Sequence, residues 1–148
     1  MKQNFLPILL DISLSKILII GGGESALKKI RILQRFNANL EVLAPEVIDE
    51  IKEIGIPVFQ RDYEKAVLSN YLLVYSCTDD LLLDQQIAED CKKAGVLFNI
   101  HDRPELCQFV SPAIYKKGNL TISVGSNGED VFQSIRIRDL IKEKLNLN

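Results

Sequence analysis

The stretch Lys16-Ile17-Leu18-Ile19-Ile20-Gly21-Gly22-Gly23-Glu24-Ser25-Ala26 constrains this chain more than any other. Consecutive apolar, mostly β-branched residues read as a buried strand, glycines stop it at once, and a helical pattern opens behind them. Strand, glycine turn and helix in that order is the arrangement a dinucleotide site needs, and Gly21, Gly23 and Ala26 satisfy G-x-G-x-x-G/A. Gly21 permits the sharp turn, Gly23 lets the backbone approach a pyrophosphate, and Ala26 lets the helix lie close to the strand. The phosphates then meet the unpaired N–H groups of the helix N-terminus, where the dipole favours an anion. The competing reading is a turn of the same shape with no ligand.

Size and charge narrow the class. A chain of 148 residues makes one domain by length and can bury a core without disulfides or metals. Its net charge of −2 implies no general attraction to nucleic acid or to an anionic membrane. Cys77, Cys91 and Cys107 are odd in number, lack C-x-x-C spacing and follow no secretory signal, so reduced thiols in the cytoplasm are expected. The apolar run from Phe5 to Ile20 is broken by Asp11 and Lys16 and contains Pro7, which is not the pattern of a membrane span. With no spacing such as H-x-x-x-H, no metal site is expected.

Along the chain, Phe5–Leu10 reads as a short edge strand with Pro7 near its start. A helix is predicted over Ser25–Phe36, with Ala26, Leu27, Ile30 and Leu33 inward and Lys28, Lys29, Arg31 and Arg35 mostly outward. Asn39–Leu43 is the second strand, and Pro45 opens a second helix that ends near Gly55. Pro57–Gln60 is a third strand, Tyr63–Leu68 a helical turn, Tyr71–Ser76 a fourth strand, 82–94 a helix ended by Gly95, and Val96–Asn99 a fifth strand. The alternation predicts an α/β, Rossmann-type parallel sheet with helices on both faces, spanning residues 1–110. Residues 111–148 break the pattern. Strands at Phe109–Tyr115 and Leu120–Val124 form a β-hairpin, and a C-terminal helix follows over 131–145. Apolar strands late in a short chain suit a dimerisation segment.

Several residues stand where ligands bind in such sheets, beyond the carboxyl ends of strands. Asn99, His101, Asp102 and Arg103 follow the fifth strand, and Asp102 is a candidate general base once its pKa rises in a closed site. Thr78-Asp79-Asp80 follows the fourth strand and either lines the cofactor cleft, through Thr78 and Asp79, or caps the next helix. Gly125-Ser126-Asn127-Gly128 is a second glycine-rich turn. Glu46, just past the second strand, is a better holder for the ribose 2′-OH than Glu41 within it, and no arginine nearby suits a 2′-phosphate, which favours NAD over NADP.

The residues together resemble the precorrin-2 dehydrogenase / sirohydrochlorin ferrochelatase family. The matching segments are Leu6-Pro7-Ile8, Ile19–Gly23 with Ala26 and Lys29, Val42–Pro45, Cys77–Asp80, Asn99–Asp102, Pro104–Phe109, Ser111–Ala113 and Ser126–Gly128. The resemblance implies NAD-dependent oxidation of precorrin-2, with iron insertion in some members. It implies that Asp102 is the catalytic aspartate. Gly21, Gly22, Gly23, Glu24, Ser25, Pro45 and Glu46 match cofactor-contacting segments, and Ser126 matches a serine near the substrate. With it, Asn99, His101 and Arg103 are assigned to the substrate side. It also implies a homodimer made by exchange of the C-terminal segment. Two departures stand out: Glu129-Asp130-Val131 replaces a Lys/Thr-Ser-Pro turn, and the chain stops at Asn148 where many members continue. The competing readings are a non-catalytic NAD-sensing regulatory domain and a tetrapyrrole-binding chaperone.

Overall fold

A computed structural model describes residues 2–146. They form two compact units, Ile8–Phe109 and the described residues of Met1–Pro7 with Val110–Asn148. The larger unit is built on a five-stranded sheet of β1 (Lys16–Ile20), β2 (Asn39–Leu43), β3 (Val58–Phe59), β4 (Leu73–Ser76) and β5 (Leu97–Ile100). Their order is β3-β2-β1-β4-β5, and every pairing is parallel. Both faces are covered, which is why β1 runs as unbroken apolar residues rather than alternating with polar ones.

Strand alternation decides which residues meet which helix. Ile17, Ile19, Leu40, Val42, Leu73 and Tyr75 share a cluster with Ala26, Leu27, Ile30 and Leu33 of α1 (Glu24–Gln34). Leu18, Ile20, Val74 and Ser76 point the other way and are buried too. There lies α3 (Leu81–Ala94), whose buried stripe is Asp84, Ile87, Ala88, Asp90 and Cys91. Each fully buried Ile, Leu or Phe contributes about 1.5–3 kcal/mol, so these two faces hold the unit together. Helix α3 starts at Asp80, whose carboxylate accepts the N–H groups of Leu82 and Leu83, and stops at Gly95 in the left-handed conformation. Within the Thr78-Asp79-Asp80 stretch the helix cap is therefore Asp80, while Thr78 Oγ1 accepts the Asp80 N–H at 3.2 Å.

Other departures have local causes. The helix expected from Pro45 shrinks to α2 (Asp49–Lys52). Residues before it lie against the glycine turn, where the Ile48 N–H donates to the Gly22 carbonyl at 2.9 Å, so the chain coils only afterwards. Lys29 is not outward: it is buried, with its ammonium 4.9 Å from the centre of the Tyr75 ring. Phe5–Leu10 forms no strand, because no neighbouring strand pairs with it. The single turn at 63–68 becomes a 3-10 helix over Lys65–Asn70.

In the smaller unit, β6 (Ala113–Lys117) and β7 (Leu120–Val124) pair antiparallel, and Lys117 opposite Leu120 leaves Gly118-Asn119 as a two-residue turn. The strand starts at Ala113 rather than Phe109, since Phe109 packs edge-on against Tyr75 in the larger unit, ring centres 5.4 Å apart. Helix α4 (Val131–Lys144) packs on both strands of the hairpin. The N-terminal residues join this unit through Asn127, which accepts the Phe5 N–H and donates to the Gln3 carbonyl, each at 2.8 Å.

Candidate functional site

The glycine turn leaves β1 at the point where the strand order reverses, between the carboxyl ends of β1 and β4. Gly21 has φ +129°, and a Cβ there would lie 2.2 Å from the Cys77 carbonyl oxygen. A Cβ on Gly22 would lie 2.0 Å from the Glu46 carbonyl oxygen. The protein's own packing thus requires both glycines, one against the β4 loop and one against the β2 loop. Gly23 differs: a Cβ there would meet nothing within 4 Å. Its open side adjoins a cavity of about 650 Å³, which falls in the range of small-molecule and cofactor sites. A glycine that no protein atom demands, on the wall of a cavity at a helix N-terminus, fits the approach of a pyrophosphate.

Gly21, Gly22, Gly23, Pro45, Glu46, Thr78 and Asp79 all line that cavity. Glu24 and Ser25, the first two residues of α1, do not, although they carry the amides of its first turn. Glu41 is excluded from the site. It is buried within β2, where Lys16 Nζ lies 2.7 Å from its carboxylate and the Tyr71 hydroxyl donates to it. Burial alone would raise its pKa, but these two partners outweigh burial and hold the carboxyl below the usual range. Asp62 and Tyr63 line the cavity as well. Sequence reasoning missed them, though they follow β3 at the same sheet edge.

The loop after β5 lies at the edge beside β4. The His101 N–H donates to the Ser76 carbonyl at 2.9 Å, continuing the β4–β5 ladder one step. Asp102 follows with φ +56°, a left-handed conformation rare outside glycine, asparagine and aspartate. Its side chain is 86% exposed, with Oδ2 3.2 Å from His101 Nε2. A carboxylate presented to solvent in a constrained backbone can accept a proton from a bound molecule. Arg103 is half-buried, its Nε 3.6 Å from Asp84 Oδ2.

Two residues assigned to the substrate side are engaged internally. The Asn99 amide donates to the Phe109 carbonyl at 3.0 Å and contacts Cys107 Sγ at 3.5 Å, so Asn99 closes the 99–109 loop on itself. Cys107 is buried there, and burial pushes its thiol pKa up. Ser126, in the smaller unit, accepts the Asp130 N–H at 2.9 Å and donates to the Asp130 carbonyl at 2.8 Å, bracing the turn into α4. Among the described residues, no group of three or more His, Cys, Asp or Glu side chains is placed to hold a metal ion.

Comparison with known proteins follows the same lines. Residues 8–113 match a family model described as putative NAD(P)-binding. The chain is 37% identical over 131 residues to a siroheme synthase from Pseudomonas fluorescens, covering 86% of this chain and 28% of that protein. It is 36% identical over 130 residues to one from Buchnera aphidicola, covering 85% and 28%. It is 32% identical over 147 residues to one from Saccharophagus degradans, covering 97% and 32%. The chain thus spans about a third or less of these relatives. Among solved structures, "SirC, precorrin-2 dehydrogenase" shares the fold with a TM-score of 0.77 at 23% identity, covering 95% of this chain and 71% of that one. By its matched residues, which make up well over half of its length, the chain belongs to the putative NAD(P)-binding family.

Proposed function

We propose that the chain binds NAD in the cavity at Gly21–Gly23 and oxidises precorrin-2 to sirohydrochlorin in siroheme synthesis. The observation that carries this reading is the placement of Asp102. It stands at the carboxyl edge of the sheet, one strand beyond the β4 wall of the cavity. The names of the relatives supply the substrate class.

NAD, when bound, supplies the hydride acceptor. Gly21, Gly22 and Gly23 hold its pyrophosphate together with the first amides of α1, at Glu24 and Ser25. Pro45 and Glu46 border its ribose, and Thr78 and Asp79 form the facing wall. Glu46 and Asp62 on the cavity wall disfavour a 2′-phosphate by like charge, which selects NAD over NADP. Asp102 accepts the proton that leaves the macrocycle as its C–H bonds give up two electrons, so each turnover releases one proton. His101 orients the Asp102 carboxylate. Much of the acceleration comes from alignment of donor and acceptor.

The protein works in the cytoplasm as a homodimer through its smaller unit. In support, α4 leaves Val131, Phe132 and Leu140 exposed, as is Leu145 just beyond it, with Phe132 81% exposed. No described helix is long and apolar enough to cross a membrane.

The test mixes purified protein with NAD and precorrin-2 and follows the sirohydrochlorin spectrum with NADH formation. The expected result is stoichiometric production of both, lost in Asp102→Ala while NAD binding survives. NAD binding without any oxidation by the wild type would leave a nucleotide-sensing module. Full turnover by Asp102→Ala would remove Asp102 from the chemistry. Adding ferrous iron to the product tests chelation separately.

A further inference from the structure

Asp84 is a buried acid that the reaction described above does not use. It sits on the inward stripe of α3 with its side chain 4% exposed. Its Oδ1 accepts the hydroxyls of Ser76 and Thr78, each at 2.7 Å, while Oδ2 faces Arg103 Nε at 3.6 Å. These partners come from three places: Ser76 ends β4, Thr78 lines the cavity, and Arg103 follows Asp102 directly. The stripe also buries Ile87, Ala88, Cys91 and a second acid, Asp90, but Asp90 takes the Tyr63 hydroxyl and the Gln86 amide, so Asp84 alone of the two faces the β4 and β5 loops. An acid there is retained only because its partners satisfy it, and those partners are the loops on either side of the reaction.

We infer that Asp84 is a positioning residue: by binding Thr78 on one side and Arg103 on the other, it holds the Asp102 loop in register with the cofactor cavity. The ion pair with Asp84 fixes Arg103, the residue after Asp102, and the His101 N–H to Ser76 carbonyl bond fixes the residue before it. Asp102 between them has φ +56°, a left-handed conformation that aspartate adopts more readily than most residues. The inference rests on the proposed role of Asp102 as proton acceptor. It departs from the expectation that Arg103 holds substrate directly.

The experiment compares wild type with Asp84→Asn, Arg103→Ala, Arg103→Lys and the Asp84→Asn/Arg103→Ala double variant. It reads kcat and KM for precorrin-2, NAD affinity, and hydrogen exchange of the bonded amides within residues 101–107, those of His101, Arg103, Leu106 and Cys107. The expected result is a fall in kcat of about tenfold or more in each neutralised variant, with KM held within about twofold. Arg103→Lys recovers part of the loss, and the double variant is no worse than Asp84→Asn, as two members of one device require. The bonded amides of 101–107 lose protection while those of β1 and β2 keep it. Arg103→Ala, altering a side chain one-third exposed, carries the test if Asp84→Asn does not fold. A rise in KM with kcat intact would make Arg103 a direct substrate ligand and overturn the inference. So would additive losses, or unchanged protection of 101–107. If the wild type does not oxidise precorrin-2, the proposed function fails instead, and the exchange pattern alone judges whether Asp84 holds the loop.

Discussion

The ammonium of Lys29 lies 4.9 Å from the centre of the Tyr75 ring, inside the layer between α1 and the sheet. Burial lowers its pKa from 10.5, and the nearby Asp102 carboxylate only partly restores it. A lysine with a depressed folded pKa binds fewer protons in the native state than in the unfolded one, so its penalty fades as pH rises through the folded value towards 10.5. The stability of wild type relative to Lys29→Met therefore improves with increasing pH across that window. Urea denaturation of both proteins from neutral to alkaline pH checks it, and parallel curves would refute the assignment.

The three glycines separate by experiment. Gly21→Ala and Gly22→Ala collide with backbone carbonyls at 2.2 and 2.0 Å and are expected to destabilise the fold, each by about 2 kcal/mol or more. Gly23→Ala meets no protein atom within 4 Å and keeps normal stability, but its methyl enters the cavity wall. It is expected to weaken NAD binding by about tenfold. Thermal denaturation and NAD titration distinguish the two classes.

Glu41 and Glu46, five positions apart in the chain, have opposite assignments. Glu41 is a structural carboxylate whose folded pKa lies below 4.5. Its contribution is present above pH 4.5 and disappears as pH falls through the depressed value. Tyr71→Phe removes one of its partners and is expected to cost about 1–3 kcal/mol in chemical denaturation. Glu41→Gln leaves NAD affinity intact, whereas Glu46→Gln with Asp62→Asn relaxes the preference for NAD over NADP by about tenfold. Titrations with both cofactors check this.

Cys77, Cys91 and Cys107 are all buried free thiols. Burial pushes the Cys77 and Cys91 thiols up to about 12, so neither offers thiolate near neutral pH. Iodoacetamide at pH 8 is expected to leave both unmodified until denaturant is added, after which Cys77, Cys91 and Cys107 all react. Rapid native labelling of Cys77 would show that the β4 loop opens.

How far the sequence reached depends on how local each signal is. Ile17–Ile20 followed by Gly21 announced the first strand and its turn, because four inward residues and a left-handed φ are recorded in a few adjacent positions. Gly95 marked the end of α3 for the same reason. Lys29 was misplaced because helical periodicity puts it near the edge of the apolar stripe, and only Tyr75 on a distant strand draws it inward. The loop position of Asn99 is legible in the sequence, but the bond from its amide to the Phe109 carbonyl is not, because the chain folds back ten residues later to make it.

The sequence by itself determined the kinds of element, their alternation and the cradle for a nucleotide, since strand and helix periods and glycine's freedom are properties of neighbouring residues. Only the tertiary structure decided which carboxylates are free to act. The order β3-β2-β1-β4-β5 brings the ends of β4 and β5 together, and so turns Asp84 inward onto Thr78 and Arg103 while leaving Asp102 facing solvent. A carboxylate's role follows from the partners that reach it, and those arrive from parts of the chain that no local pattern connects.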